Sequence, residues 1–313
     1  MILRRRLNCR AIEFHVQLPI VPEYFTQRAS IPGILLVSEA TSIWKRAGGY
    51  PNKVTDAVHG KGSYLLFQLW ALGRVTLPEV ARLEGFDVVS SNPTPLDSDN
   101  PPPREGTEEE IQGFIQDYAQ AARNALQAGF DGVEVHGAGG RLIDQFTKDN
   151  CNTRTDEYAG SIENRSRFIP EVVRAVSDVV GSNRVGIRLP PWQRYQGLRM
   201  EDPVPQFTHV IGKRKTLTLA CLHLRSPSVL IDDSLNTDPI DPFIEAWGDC
   251  APVILAGGFK PESAKLVLKD HFKKRDLLVA FGRYFFSSTE ARVDAANDIF
   301  LEHDLNMERH LRL

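Results

Sequence analysis

The chain has 313 residues, of which 42% are hydrophobic and 25% charged, and its formal net charge is −3. These values are ordinary for a globular protein, and the small net charge argues against a nucleic-acid partner. No apolar run reaches the roughly 20 residues that a membrane helix needs, and the basic start lacks the apolar stretch of a secretory signal. The four cysteines have no metal-ligand spacing, which predicts reduced thiols in a cytoplasmic protein without a metal site.

The first part of the chain predicts two apolar strands, a loop and a long helix. Leu7 to Ile12 is the only N-terminal segment with room for a further strand, but three arginines precede it. Gly33 to Ser38 and Ser63 to Leu69 are apolar runs of strand length. The proline-rich stretch Ser90 to Glu105 predicts an irregular loop, and Glu108 to Ala128 has the periodicity of an amphipathic helix.

Apolar and helical segments continue to alternate in the rest of the chain. Thr107 and Glu110 have the spacing of a capping box at the start of the long helix, and Gly129 closes it. Ser166 to Val180 and Pro261 to Lys269 predict two more helices. The remaining apolar runs are Gly132 to His136, Val185 to Leu189, Leu219 to Leu224, Pro252 to Ala256 and Leu277 to Phe281. Seven such strands predict one (β/α)8 barrel over residues 1–313, with its first strand degraded or missing.

Polar residues end several of these strands, at the edge where (β/α)8 barrels carry their function. One such residue is commonly structural, but six at one edge indicate a site. Glycines and an arginine after the last two strands predict a phosphate station, because backbone N–H groups and a guanidinium both bind anions. The six residues at the edge are Glu39, Gln68, His136, Arg188, His223 and Arg283, and the phosphate residues are Gly257, Gly258, Gly282 and Arg283.

Three of the polar residues suggest what is bound. Arg188 interrupts an apolar strand and needs an anionic partner, which an electron-rich flavin edge or the carboxylate of Glu134 would provide. Gln68 offers a donor and an acceptor, which suits the pyrimidine edge of a flavin. His136 is either a carbonyl-binding residue or a buried structural histidine, and the sequence leaves both readings open.

Several long motifs resemble those of old yellow enzymes, particularly fungal alkene reductases, and they occur in order from about Glu23 to Phe286. The motifs are Tyr24 to Ser30, Glu39 to Thr41, Gln68 to Arg74, Gly129 to His136, Arg154 to Arg165, Val185 to Leu189 and Ala280 to Phe285. The resemblance implies FMN bound noncovalently at the C-terminal face of the barrel, NADPH as hydride donor, and a substrate with an alkene conjugated to a carbonyl.

The resemblance also assigns roles to individual residues. Ala40 would lie beside the flavin ring, and Gln68 and Arg188 would contact its pyrimidine side. His136 would be the first of two donors that bind the carbonyl oxygen and stabilise the developing enolate. The phosphate would be held by Gly257, Gly258, Gly282 and Arg283.

The chain departs from the family pattern around the catalytic motif, which normally reads H-x-A-N/H-G-Y. Gly139 has no side chain to act as the second carbonyl donor, and Arg141 replaces the proton-donating tyrosine although a guanidinium cannot act as an acid near neutral pH. The family's first-strand motif is unrecognisable around Arg5 to Ala11, a segment is missing between Asn52 and Val54, and the tail is unfamiliar. Losing one oxyanion donor costs on the order of 10²–10³ in rate, and losing a general acid about 10²–10⁴.

Three functions are consistent with this pattern. The first is an FMN-binding oxidoreductase of fungal-type secondary metabolism that acts on an electrophilic alkene or enone with an altered proton donor. The second is a non-redox cyclase or isomerase in which Arg141 is a fixed cation, and the third is an inactive homologue or a wrong gene model. We rank them in this order, and expect a cytoplasmic monomer or homodimer with a small-molecule substrate that the sequence does not identify.

Overall fold

The computed structural model describes residues 2–3, 20–43, 53–213, 218–225, 238–271 and 275–282. All strand pairs in these ranges are parallel. The strands in chain order are β1 (Ile2–Leu3), β2 (Leu35–Val37), β3 (Thr41–Ser42), β4 (Tyr64–Trp70), β5 (Val89–Ser90), β6 (Arg104–Glu105), β7 (Gly132–His136), β8 (Val185–Leu189), β9 (Cys221–Arg225), β10 (Val253–Ala256) and β11 (Leu277–Phe281).

The main sheet has the order β1-β11-β10-β9-β8-β7-β4-β2, with β3 paired to the end of β4. Because β1 also lies beside β2, the sheet curls round towards its own first strand. This arrangement confirms the predicted barrel class and the seven predicted strands. The segment from Leu7 to Ile12 lies outside the described residues; the place beside β11 is taken by β1, which pairs with Ala280 and Phe281.

Helices connect the strands of the barrel, and the three predicted helices are present. The α-helices of the described ranges are α1 (Val21–Arg28), α2 (Lys53–His59), α3 (Pro78–Glu84), α4 (Glu108–Gln127), α5 (Leu142–Thr147), α6 (Ile162–Arg165), α7 (Phe168–Val180), α8 (Val204–Gly212), α9 (Asp241–Trp247) and α10 (Pro261–Leu266). The last predicted helix continues beyond α10 as a π-helical turn, Val267–His271. Within the described ranges, no helix combines the length and the apolar character that crossing a membrane requires.

The capping box of α4 has both of its hydrogen bonds. The backbone N–H of Glu110 donates to Oγ1 of Thr107 over 3.2 Å, and the backbone N–H of Thr107 donates to Oε2 of Glu110 over 2.9 Å. Gly129 follows the helix with φ +84°, a left-handed conformation that glycine adopts without a steric penalty. The predicted loop between Ser90 and Glu105 is irregular apart from the short β5–β6 pair at its ends.

Successive side chains of a barrel strand point alternately inward and outward, and this alternation builds the site. Small and apolar inward residues pack into a floor layer that fills the barrel interior. The floor layer consists of Leu35, Val37, Leu66, Cys221, Ile254, Leu278 and Ala280. Two positions further along their strands, Gln68 and His223 point to the same side as Leu66 and Cys221, so the next layer towards the strand ends is polar.

Candidate active site

The polar layer consists of Gln68, Glu134, Arg188 and His223, contributed by four neighbouring strands. Strand register places Gln68 opposite Glu134 and Arg188 opposite His223. All four side chains are buried, and two of them carry a formal charge. Buried charges are costly unless they are paired or serve a ligand, so this layer is the strongest candidate for a binding site in the described part of the barrel.

Glu134 organises the polar layer through two hydrogen bonds. Nε2 of Gln68 donates to Oε1 of Glu134, and Nδ1 of His223 lies 2.5 Å from Oε2. Burial alone would raise the pKa of Glu134, but His223, Arg188 and the hydrogen bond from Gln68 outweigh it and hold the pKa at about 2. Glu134 is therefore ionised near neutral pH, and it fixes the amide of Gln68 in one orientation. The other end of that amide, Oε1, is buried without a hydrogen-bond partner among the described residues.

Arg188 is buried with two unsatisfied donors. Its side chain is 4% exposed, and neither Nε nor Nη1 has a hydrogen-bond partner among the described residues. Burial lowers the pKa of Arg188 to about 10, although the charge of Glu134 works in the opposite direction. Glu134 thus attracts Arg188 electrostatically, as the sequence suggested, but its hydrogen bonds are with Gln68 and His223.

These orphaned atoms fit the pyrimidine edge of a flavin. The guanidinium of Arg188 presents donors and Oε1 of Gln68 presents an acceptor, and the edge of the ring offers carbonyl oxygens and an N–H group in return. The two residues stand on either side of β7, on β8 and β4. The cofactor contacts predicted for Gln68 and Arg188 therefore have a physical basis in the structure.

The predicted phosphate residues lie at the ends of two adjacent strands. Gly257 and Gly258 follow β10, and Gly282 follows the neighbouring β11. Gly258 has φ +85°, which opens its backbone in a way that other residues rarely adopt. Arg283 lies outside the described residues, so its predicted role stays a prediction.

Ala40, predicted to lie beside the flavin ring, is half-buried directly before β3. That strand pairs with the end of β4, the strand that carries Gln68.

His136 and Arg141, the two predicted catalytic residues, lie together around Trp70. His136 is fully buried, and its ring is parallel to that of Trp70 with centroids 6.2 Å apart. The backbone N–H of Ala138 donates to Nδ1 of His136 over 3.2 Å, so the neutral imidazole carries its proton on Nε2 and is a donor there. The guanidinium carbon of Arg141 lies 4.5 Å from the centre of the Trp70 ring, an attractive cation–π arrangement.

Sequence reasoning missed the residues that hold this loop in shape. The backbone N–H of Gly140 donates to Oδ2 of Asp144 over 2.9 Å, and Nε2 of Gln145 donates to the carbonyl of Gly140 over 2.7 Å. Oε1 of Gln145 in turn accepts hydrogen bonds from Oγ of Ser90 and the backbone N–H of Arg74. The available signal was the run of polar residues in a short helix, α5, whose side chains are all buried.

A sequence profile of the NADH:flavin oxidoreductase / NADH oxidase family matches residues 9–301. An NADP-dependent oxidoreductase of Aspergillus flavus is 47% identical over 304 residues, covering 90% of this chain and 81% of the relative. A chanoclavine-I aldehyde reductase of Penicillium roqueforti is also 47% identical, covering 94% of this chain and 85% of the relative. A probable inactive reductase of Epichloe festucae var. lolii is 44% identical, covering 93% of this chain and 82% of the relative.

Solved structures agree with this assignment. An old yellow enzyme from Pichia sp. superposes with a TM-score of 0.83 at 28% identity, over 94% of this chain and 82% of that protein. A morphinone reductase variant in complex with tetrahydroNAD gives 0.79 at 33% identity, over 94% of this chain and 87% of that protein. The predicted activity class, an oxidoreductase that uses FMN and a nicotinamide, is confirmed, whereas the roles of single residues stay predictions. The chain belongs to the NADH:flavin oxidoreductase / NADH oxidase family and has the old yellow enzyme fold.

Proposed function

We propose that this protein reduces an alkene conjugated to a carbonyl group in a small molecule of secondary metabolism, with FMN at the strand ends and NADPH as hydride donor. The observation that carries the proposal is the polar layer, where buried donors of Arg188 and a buried acceptor of Gln68 have no hydrogen-bond partner in the part of the chain that the structure describes. A flavin edge supplies both kinds of partner. The aldehyde reductases among the relatives support a carbonyl-containing small molecule as substrate.

The chain's own residues would divide the binding work as follows. Arg188 and Gln68 hold the pyrimidine edge, and Ala40 leaves room beside the ring. Gly257, Gly258 and Gly282 present backbone N–H groups to the phosphate, with Arg283 as its charged partner. FMN held by these residues would supply the chemistry of hydride transfer between the nicotinamide and the substrate.

His136 would bind the substrate's carbonyl oxygen through Nε2–H and stabilise the negative charge that develops there. Arg141 lies in the same place but cannot supply the proton that completes the reduction, because its guanidinium does not dissociate near neutral pH. The proton would therefore come from water or from another residue, and Arg141 would act as a fixed cation. A non-redox isomerase or cyclase is the second candidate function, and the buried cation of Arg141 over Trp70 is the observation that favours it.

The visible spectrum of the purified protein tests the first proposal against the second. We expect a flavin absorption band that bleaches when NADPH is added without air. The Arg188→Met variant should lose most of the bound FMN, whereas Arg184→Met, an exposed arginine just before the same strand, should keep it. Folded, colourless protein that does not take up FMN would contradict the oxidoreductase proposal. Substrate conversion by that colourless protein would establish the isomerase or cyclase.

We infer a cytoplasmic enzyme that is a monomer or a homodimer. Gel filtration with light scattering measures its oligomeric state, and a mass of three or more chains would contradict the inference.

A further inference from the structure

The guanidinium of Arg141 lies directly beside the space into which a side chain at position 139 would project. A Cβ atom built on Gly139 would lie 3.1 Å from Nη1 and 3.7 Å from Cζ of Arg141. The same Cβ would lie 3.8 Å from Cε1 of His136. Arg141 and His136 therefore border one small space, and it is the space that a residue-139 side chain would have entered.

A hydrogen bond, a cation–π contact and burial hold the guanidinium of Arg141 beside that space. Nη1 donates a hydrogen bond to the carbonyl of Gly139. The indole of Trp70 lies under the guanidinium at 4.5 Å, and the side chain is only 5% exposed. A long side chain fixed in this way loses little further freedom when it binds a ligand, so it acts as a preorganised donor.

The two side chains offer donors to whatever enters this space. His136 donates through Nε2, because its Nδ1 accepts from Ala138, and a guanidinium has donors only. The one buried carboxylate that interacts with Arg141, Asp144, also interacts with Lys148, whose Nζ lies 3.9 Å away, and with Arg74, so Arg141 does not have this carboxylate to itself. Donors that include a guanidinium favour a ligand oxygen that carries negative charge.

We propose that Arg141 takes the place of the side-chain donor missing at position 139, and that the His136–Arg141 pair selects substrates with a negatively charged oxygen, such as the carboxylate of a conjugated acid. This inference rests on the proposed function, because it takes His136 as the residue that binds the substrate's oxygen. An amide or imidazole at position 139 would bind neutral carbonyls, whereas a guanidinium binds a carboxylate through two parallel hydrogen bonds.

Gly139 gives the guanidinium its room. Its φ is +75°, and a Cβ there would lie 3.1 Å from Nη1, so the guanidinium would have to shift by a few tenths of an ångström. The missing side chain at 139 and the arginine at 141 therefore fit each other. Gly139→Asn should displace Arg141, because asparagine is among the residues that tolerate a left-handed backbone and its amide would enter the same space.

Two unreactive probes of equal shape, benzoate and benzamide, test the inference by isothermal titration calorimetry on the FMN-loaded protein. We expect benzoate to bind about ten-fold tighter than benzamide, the discrimination that one charge-assisted contact supplies. Arg141→Gln, which keeps a donor but removes the charge, should abolish the preference, and Gly139→Asn should reduce it. Arg82→Gln, an exposed arginine on α3, is the matched control and should leave the preference intact.

The outcomes separate this inference from the proposed function. Equal binding of the two probes by the unaltered protein would overturn the inference, as would a preference that survives Arg141→Gln, even if NADPH bleaches the flavin normally. Colourless protein that still prefers benzoate in an Arg141-dependent way would overturn the proposed function but support the anion-selective pair. Circular dichroism of each variant checks that the fold is kept, and Arg141→Lys, which keeps the charge without the planar fork, should retain part of the preference if Arg141→Gln fails to fold.

Discussion

Nδ1 of His223 lies 2.5 Å from Oε2 of Glu134, inside the barrel where neither side chain reaches solvent. The two residues come from β9 and β7, so their contact passes over the intervening strand β8. Gly186 on β8 leaves room for the thiol of Cys221, because a Cβ there would lie 2.7 Å from Sγ, whereas Cγ of Glu134, at 3.9 Å, would be in ordinary contact with it. An ionised carboxylate is thus held in the barrel by its neighbours and in turn orients Gln68.

The first prediction concerns how the ionisation of Glu134 stabilises the folded protein against acid. The pKa of Glu134 is about 2 in the folded protein, against an ordinary value of 4.5. The interactions of the ionised carboxylate therefore stabilise the folded state at pH values above about 4.5. That stabilisation, on the order of 3 kcal/mol, is lost as the pH falls from about 5 to about 2. Urea unfolding across this range should show a steeper loss of stability for the unaltered protein than for Glu134→Gln.

Glu262→Gln is the control for that experiment, because Glu262 is exposed on α10. It should lose stability on acidification in parallel with the unaltered protein. Parallel curves for Glu134→Gln and the unaltered protein would show that the carboxylate of Glu134 is not held ionised by its partners.

The second prediction sets stability against binding at Arg188. A buried cation with unsatisfied donors costs folding free energy, and an apolar side chain of similar length removes that cost. The flavin-free Arg188→Met protein should therefore melt at the same temperature as the unaltered flavin-free protein or higher. Its affinity for FMN should fall about 10- to 100-fold, the effect of losing charge-assisted hydrogen bonds. Differential scanning calorimetry and fluorescence titration measure the two quantities, and a lower melting temperature without a loss of affinity would contradict the prediction.

The third prediction compares two glycines with the same backbone conformation. Gly140, beside the candidate site, and Gly85, after α3, both have φ +71°. A Cβ on Gly140 would lie 2.0 Å from Oε1 of Gln196, whereas nothing lies within 4 Å of a Cβ on Gly85. Gly85→Ala should cost only the left-handed strain of about 1–2 kcal/mol, and Gly140→Ala should cost more because the side chain of Gln196 must also move. Equal losses of unfolding free energy in the two variants would show that Gln196 yields without cost.

The fourth prediction concerns the start of α4. Removing the capping hydroxyl with Thr107→Ala should destabilise the protein by about 1 kcal/mol, because the backbone N–H of Glu110 loses its acceptor. Thr107→Ser keeps the hydroxyl and should remain within a few tenths of a kcal/mol of the unaltered protein. Guanidinium unfolding curves measure both, and equal losses in the two variants would mean that the methyl group of Thr107 contributes the stability.

The strands and helices were predictable because the signals that specify them are local. Gly132 to His136 and Val185 to Leu189 are short, near-continuous apolar runs, and a strand covered on both faces has no other pattern. The capping box of Thr107 and Glu110 is a four-residue signal with a direct hydrogen-bond meaning. The end of the last helix was less predictable, because the change from α10 to a π-helical turn has no mark of its own in the sequence.

The contacts of the candidate site were only partly predictable. The strand pattern placed Gln68, Arg188 and His136 at the correct strand ends, but the hydrogen bonds from Gln68 and His223 to Glu134 depend on strand register across the barrel. The contact between Arg141 and the Gly139 carbonyl could not be predicted from the sequence for a different reason. It depends on a side-chain rotamer and on the position of Trp70, which lies 71 positions earlier in the chain.

A thiol in the floor layer can be used to measure how often the barrel opens. Cys221 lies in that layer fully buried, and burial raises the pKa of its thiol well above the ordinary value, so it is protected from alkylation by both access and protonation. Cys250, in contrast, is exposed. A thiol reagent should label Cys250 at once and Cys221 only when the barrel comes apart, so the labelling rate of Cys221, followed separately from that of the buried Cys151, measures how often this barrel opens under native conditions.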